Sequence, residues 1–332
     1  GSLDDLSSAV SAAERAVSAC AEGSPQKPTS LYTLATCLNR RFRLLHRLDD
    51  VTAAIKMGQL AFSLAERDEL KRLALDIVTI SLYHRFVHSR KPDDLDESIS
   101  EMKKALALLT DVSPQRFVHL NNLSIILEIR FELFGDPADL DEAIDKRRDA
   151  VNVAPSQCPD MLGYLDTLSS CLFARFELKG DRIDLAESVS LLKDARSSAP
   201  DGHIFKPIIL HHLNERLCDL FELTKDRKDI DEAVSVGRDA VACNLDGGQG
   251  KSSSLLRLAT SLQYRFRDPD LKQFGDLEES VTYAEEALSL ISDGDGSKCT
   301  ALICLGLSAR YRFDPSQNPL DAEKGISQFK TA

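Results

Sequence analysis

Several short stretches of the sequence hold residue types that bind phosphate, metal or thiol partners. Gly247-Gly248 followed by Gly250-Lys251-Ser252 has the glycine, lysine and hydroxyl of a phosphate-binding loop, where backbone N–H groups cradle the anion and lysine neutralises it. That loop needs a glycine five residues before its second one, and position 245 is Leu. It also needs a strand ahead of it, whereas the pattern there is helical. Asp93-Asp94-Leu95-Asp96-Glu97 is a carboxylate cluster of the kind that holds Mg²⁺ and, through it, a diphosphate. His211-His212 is the one histidine pair. Neighbours on a helix point about 100° apart, so the two cannot readily share one metal. Eight cysteines show no C-x-x-C pair, and Cys299 and Cys304, the closest two, lack histidines at zinc spacing. No Ser-His-Asp or Cys-His arrangement stands out.

The elements that would position these residues follow from a repeat. Arg-Phe recurs at Arg41-Phe42, Arg85-Phe86, Arg130-Phe131, Arg175-Phe176, Arg265-Phe266 and Arg312-Phe313, and Leu220-Phe221 fills the gap. The phenylalanines are 44, 45, 45, 45, 45 and 47 residues apart. A fixed period of this length is the signature of a repeat architecture. Eleven, eight and four residues before each Phe lie apolar columns, such as Leu120, Leu123 and Leu127 before Phe131. Spacings of three and four mark one face of an amphipathic helix, helix A. The residue after the second column is small in most copies (Ala35, Thr79, Ser124, Ser169, Ala259, Gly306), with Asn214 the largest, so a neighbouring helix can approach.

A polar turn, as in Phe134-Gly135-Asp136-Pro137, leads to helix B. Its start carries Asp94-Leu95-Asp96-Glu97, Asp139-Leu140-Asp141-Glu142 or Asp229-Ile230-Asp231-Glu232. These stretches read as a capping-box variant, with Asp at the N-cap and the acids favouring the positive helix end. A small residue and an alanine seven positions on recur in each copy: Ala9/Ala16, Ala54/Ala61, Ser98/Ala105, Ala143/Ala150, Ser188/Ala195, Ala233/Ala240, Ser280/Ala287 and Gly325/Ala332. The tally is seven A helices and eight B helices, in one repeat domain over residues 3–332, with Gly1-Ser2 read as a cloning scar. Solenoids carry polar capping repeats at their ends. Neither end shows one, so a piece of a longer protein is expected.

The register accounts for the tempting motifs. Lys251 shares its column with Lys27, Lys71, Arg116, Lys206 and Lys298, only Met161 departing, so it is expected to brace a helix end or an acidic loop. The acidic cluster recurs at most B-helix starts. The Arg-Phe arginines are expected to pair with acids of the next turn, with Phe in the core.

These columns resemble the TPR motif, hydrophobic-x-x-L-G-x-x-Y then A-x-x-x-F-x-x-A and Pro. In the third repeat Leu120, Leu123, Ser124, Leu127, Ala143, Ala150 and Pro155 match. A TPR is about 34 residues, and the interval from Leu127 to Ala143 is longer here, adding about two turns that carry Arg130-Phe131-Glu132-Leu133. The combination with G-D-x-x-D-L-D-E-A-I, Asp201-Gly202-His203 and Lys206-Pro207 looks like the TPR arrays of mushroom-forming fungi, which often accompany a caspase-like CHAT protease domain or a nucleotide-binding switch domain. The resemblance implies an all-α, right-handed α-solenoid of about seven antiparallel helix pairs.

It also implies a concave wall made by helix A residues off the leucine stripe, ten, six, three and two positions before each Phe. The candidate partner-binding residues are Tyr32, Asn39 and Arg40; Asp76, Tyr83 and His84; Asn121, Ile125 and Glu128; Asp166, Ser170 and Phe173; His211, Glu215 and Asp219; and Gln263 and Tyr264. The same columns include Ile80. The central portion is acidic, and the Lys-and-Asn clamp of chaperone-binding TPRs is absent, so a protein or peptide of basic or mixed polarity is expected.

Composition bounds the rest. A net charge of −12 disfavours nucleic acid and anionic membranes. No apolar run approaches the ~20 residues of a membrane helix, and no targeting segment is visible. Cysteines inside apolar helical patterns point to reduced, mostly buried thiols and a cytoplasmic setting. The expected function is a protein-binding scaffold, the sensor or adaptor segment of a larger protein, with no catalytic residues, metal or cofactor, and with other domains of the parent chain as further partners. The rival readings are an enzyme on a helical scaffold, such as Mg²⁺-dependent prenyl transfer, and an RNA-binding helical repeat.

Overall fold

The computed structural model describes residues 3–111, 113–155, 158–244, 249–271, 273–292, 295–316 and 327. Among them are fourteen α-helices and no strand. They fall into two compact units, Gly1–Cys158 and Pro159–Ala332. The first holds α1 (Leu3–Ala19), α2 (Lys27–Leu45), α3 (Leu48–Leu64), α4 (Asp68–Ser89), α5 (Pro92–Ala107), α6 (Arg116–Phe134) and α7 (Pro137–Val153). The second holds α8 (Met161–Lys179), α9 (Arg182–Ser198), α10 (Lys206–Thr224), α11 (Arg227–Cys243), α12 (Gln249–Arg267), α13 (Phe274–Leu290) and α14 (Ser297–Ser316). Even-numbered helices are the A helices and odd-numbered ones the B helices. The B helix expected around Gly325/Ala332 lies outside the described residues.

Each A helix runs on through its Arg-Phe. α6 ends at Phe134, seven residues past Leu127, which is about two turns. In five pairs a turn of two residues then reverses the chain into helix B, which makes the pair antiparallel. The reversal sits four residues after Phe, in the left-handed region, at His46, Arg90, Gly135, Gly180 and Lys225. Each of these N–H groups donates to the carbonyl of the preceding Phe at 2.7–2.8 Å. Glycine adopts this conformation without the Cβ clash that Arg90 incurs at φ 56°. Arg90→Gly is therefore expected to stabilise the α4–α5 hairpin by about 1 kcal/mol, the left-handed cost less the extra chain entropy of glycine, read as a higher urea midpoint.

The leucine stripe forms the core between paired helices. Leu75, Val78, Leu82, Leu123, Leu127, Leu172, Leu210, Leu213 and Leu217 are fully or almost fully buried. Phe42, Phe86, Phe221 and Phe266 are buried, while Phe131 and Phe176 are half-buried. The small A-column residue and the small B-column residue meet, and polar groups there bond across the seam. Ser98 Oγ donates to Thr79 O (3.3 Å), Ser188 Oγ to Ser169 O (3.1 Å) and Ser280 Oγ to Ala259 O (3.0 Å). Where helix B offers only Ala233, Asn214 Nδ2 donates the other way, to Ala233 O, at 2.6 Å. The α1 pair is the exception. Ala9 is half-buried and Ala16 exposed, because α1 packs mainly on α2, through Val10 and Ala13.

The acidic B-helix starts differ from expectation in a way that explains Arg-Phe. The aspartates of Asp94, Asp139 and Asp229 are not N-caps. The caps lie three residues earlier, at Lys91, Asp136 and Asp226, and Asp136, Asp181 and Asp226 each accept from a backbone N–H two residues on. The freed aspartate, one turn into helix B, receives the arginine nine residues before it. Arg41–Asp50, Arg85–Asp94, Arg130–Asp139 and Arg175–Asp184 are two-pronged pairs with contacts of 2.5–3.1 Å, and Arg265–Asp276 matches them across a longer turn. These aspartates are almost fully buried. The clamp closes the open end of each hairpin with fork geometry that lysine cannot reproduce.

Successive B helices are tied to each other by side-chain pairs within each unit. Gln59 reaches Glu97, Lys103 reaches Glu142, Lys193 reaches Glu232 and Arg238 reaches Glu279, all within 2.7–2.9 Å. This glutamate column was legible in the sequence but carried no motif.

Candidate functional site

The lysine of the apparent phosphate loop, Lys251, sits in the first turn of α12 and pairs with Glu286 of α13 at 2.9 Å. Its column mates act alike: Lys206 pairs with Asp201, Lys71 with Asp68 and Arg116 with Asp111. Asp94 and Asp96 of the carboxylate cluster are held by arginines, Arg85 and Arg130. His212 Nδ1 bonds Asp166 on α8 at 2.6 Å instead of sharing a ligand with His211. The eight cysteines are free thiols, of which Cys171, Cys218 and Cys304 are buried, three are half-buried, and Cys243 and Cys299 are exposed, so burial is less general than expected. Burial pushes the Cys218 thiol up to about 12 and Cys304 up to about 11, which removes their thiolate reactivity at neutral pH.

The candidate wall residues fall into three groups. The first stitches one A helix to the next. Asn39 of α2 bonds His84 of α4 at 2.8 Å, and Asp76 of α4 takes Arg72 at 2.6 Å and His119 of α6 at 2.7 Å. In the second unit Asp166 takes His212, Glu215 takes Arg216 and Arg257, and Gln263 bonds Cys304 O and Ser308 Oγ. Glu128 pairs with buried Arg147 of α7, and Ser170 Oγ turns back to Asp166 O. Asn121 is buried with its Oδ1 unpartnered.

The second group is an aromatic and charged cluster in the second unit. The Arg216 guanidinium lies 3.4 Å from the Phe173 ring centre, and Arg267 lies 5.5 Å from Tyr264, both attractive cation–π arrangements. Burial, helped by Arg257, pulls His211 down to about 4. Burial and Glu215 push the Asp219 carboxyl up to about 6. The two act oppositely in acid. Between pH 6.5 and 4 unfolding lets His211 gain a proton, so stability falls with pH; between 6 and 4 folded Asp219 holds a proton the unfolded chain releases, so stability rises. His211→Gln is thus expected to make the second unit more acid-resistant and Asp219→Asn less so, seen in melting temperatures across that range.

The third group borders open space. Ile80 and Tyr83 of α4 face Ile125 of α6 across a groove of about 190 Å³, completed by Thr79, Asn122, Ile126 and Met102 of α5. Ile80 is 43% exposed and Ile125 40%. Of the remaining candidates, Arg40 is exposed beside a shallow hollow between α1 and α2, and Tyr32 packs partly into the Leu31, Ala61 and Ala74 cluster.

A B-helix column that the sequence reading passed over explains why the wall opens here. Four residues after the small B residue stand Ala13, Gly58, Met102, Arg147, Leu192, Gly237 and Ala284, all buried. A Cβ on Gly58 would lie 2.6 Å from Val78 Cγ2 of α4, and one on Gly237 would lie 3.1 Å from Leu258 Cδ1 of α12. At these glycines, and at Ala284, the flanking A helices pack together: α2 with α4, α10 with α12, α12 with α14. At Leu192 α8 and α10 barely touch, and at Met102 α4 and α6 have no comparable packing. In these places a larger side chain in the column goes with a wider gap between the flanking A helices, as expected where a close-packed interior has no slack to absorb its volume. Among the apolar residues of this column Met102 alone is long and unbranched, and that was the signal in the sequence.

No family model and no curated protein matches the chain. Solved structures similar to it include BtubC (BKLC) from P. vanneervenii, at 14% identity over 73% of this chain and 89% of that one, TM-score 0.48. The apo quorum sensor NprR from B. thuringiensis shares 10% identity over 99% and 94%, TM-score 0.48. Nro1, a regulator of sterol synthesis described as a nuclear import adaptor, shares 13% over 90% and 98%, TM-score 0.45.

Proposed function

We propose that the chain is a protein-interaction scaffold that holds peptide segments against its A-helix wall. The observation that supports this is an apolar groove of the first unit, between the A helices α4 and α6, in a chain whose A helices recur on one register. Control of an attached domain, such as the CHAT protease that the resemblance implies, is the finer form of the reading. The chain then acts as a sensor or adaptor segment, non-catalytic and within the cytoplasm. Selection of a random peptide library on the immobilised full chain tests it, beside calorimetry with Mg²⁺ and diphosphate and filter binding of RNA at low salt. Peptides should be enriched over a heat-unfolded control, with no heat from diphosphate and no RNA retained. Absence of enriched peptides together with diphosphate or RNA binding would replace the scaffold with one of its rivals.

A further inference from the structure

The groove between α4 and α6 has a size, a lining and idle polar groups that describe its occupant. Its volume of about 190 Å³ falls short of the ~300–1,000 Å³ that encloses a cofactor or drug-sized ligand. It is close to the ~150 Å³ apolar cavity that accepts benzene. One bulky side chain fits. Thr79, 2% exposed, lines the groove with its Oγ1 unpartnered. Among the described residues, neither the Asn122 amide nor the Tyr83 hydroxyl on the rim has a hydrogen bond. A buried polar group without a partner, as at Thr79, is uncommon in folded proteins and calls for an explanation, while the rim groups are free to bond an incoming backbone.

Charge narrows the occupant further. Asp76, one turn before Ile80, is neutralised by Arg72 and His119. Glu128, one turn after Ile125, is neutralised by Arg147. The wall has therefore spent its charges on itself at both ends of the groove, and an ionised side chain entering it would lose water without gaining a partner.

Resting on the scaffold reading above, we propose that this groove is a socket for one uncharged, bulky aliphatic or aromatic side chain of a partner peptide. The peptide backbone bonds Asn122 and Tyr83, and Met102 is the specificity-determining wedge that holds the socket open. This departs from the basic or mixed-polarity ligand that the acidic residues of the wall implied, because Asp76 and Glu128, the acids beside this groove, are paired.

The test uses the peptides enriched on the full chain. Their dissociation constants are measured by calorimetry against the wild type, Ile80→Arg, Ile125→Arg and Met102→Ala, with Ile204→Arg, 79% exposed in the second unit, as control. The enriched peptides should share one Leu, Ile, Met or Phe with no excess of charge. Affinity should fall at least tenfold in the three groove variants and hold in Ile204→Arg. Melting curves check folding. Ile80 and Ile125 are exposed enough for arginine, so they carry the test should Met102→Ala unfold. Peptides that bind Ile80→Arg and Ile125→Arg as tightly as wild type overturn the socket while leaving the scaffold standing. No enrichment at all overturns both. Unchanged affinity in folded Met102→Ala removes the wedge role. A concentration-dependent dimer abolished by Ile125→Arg would give the groove to a second copy and also overturn the proposal.

Discussion

Arg130→Leu is expected to destabilise the α6–α7 hairpin by about 2–4 kcal/mol, seen as faster hydrogen exchange of α6 and α7 amides in the full chain. Removing one member of a buried ion pair costs ~3–5 kcal/mol because the other charge stays behind. Two features reduce that figure. The Arg130 side chain is 25% exposed, and Asp139 sits in the first turn of α7, where the helix dipole favours a carboxylate. Arg130 also holds Asp96 of the preceding B helix at 2.6 Å, so the change loosens a link between repeats as well. The fifth full repeat supplies a natural comparison. There Leu220 replaces the arginine, and Asp229 is half-buried and takes the Thr224 hydroxyl at 2.9 Å. Phe134, 54% exposed, stands at the Thr224 register in α6. Adding Phe134→Thr to Arg130→Leu should therefore restore roughly 1 kcal/mol. An Arg130→Leu chain within about 0.5 kcal/mol of wild type would demote the clamp to a surface pair.

Gly58→Met is expected to have the second large effect, and it transplants the wedge. Its Cβ would meet Val78 Cγ2 at 2.6 Å and the Ala74 carbonyl at 3.3 Å, so α4 must move or the side chain must strain. Overpacking of this kind costs about 1–3 kcal/mol, offset by the ~1 kcal/mol that methionine gains over glycine in a helix. The informative outcome is geometric. A crystal structure of the variant should show α2 and α4 parted, with an apolar groove between them like that between α4 and α6. Helices still in contact, with the methionine turned to solvent, would show that spacing is set elsewhere.

The helices, their order and their buried stripe were legible because a 45-residue register repeats each signal several times, and one accidental leucine cannot imitate a column. The Arg-Phe pairing was legible as a role for the arginine but not as a geometry. Asp94 and Asp139 looked like caps, because a capping aspartate and a clamped one are the same residue type at the same helix end. The turn of two residues decides between them by placing the helix start three residues earlier. The wall was legible as positions and not as chemistry. Asp76, Asp166 and Glu215 read as free acids, yet each meets a cation or histidine one repeat away, a partner that no single helix reveals. Met102 escaped notice because methionine in a buried column is ordinary until the same column proves to hold glycine at Gly58 and Gly237.

The most direct measurement is methyl NMR on the chain labelled at isoleucine Cδ1, titrated with the tightest selected peptide. The account predicts shifts concentrated at Ile80, Ile125 and Ile126, with Ile183 and Ile208 of the second unit unmoved. Saturable shifts confined to the second unit, with the groove methyls silent, would contradict it.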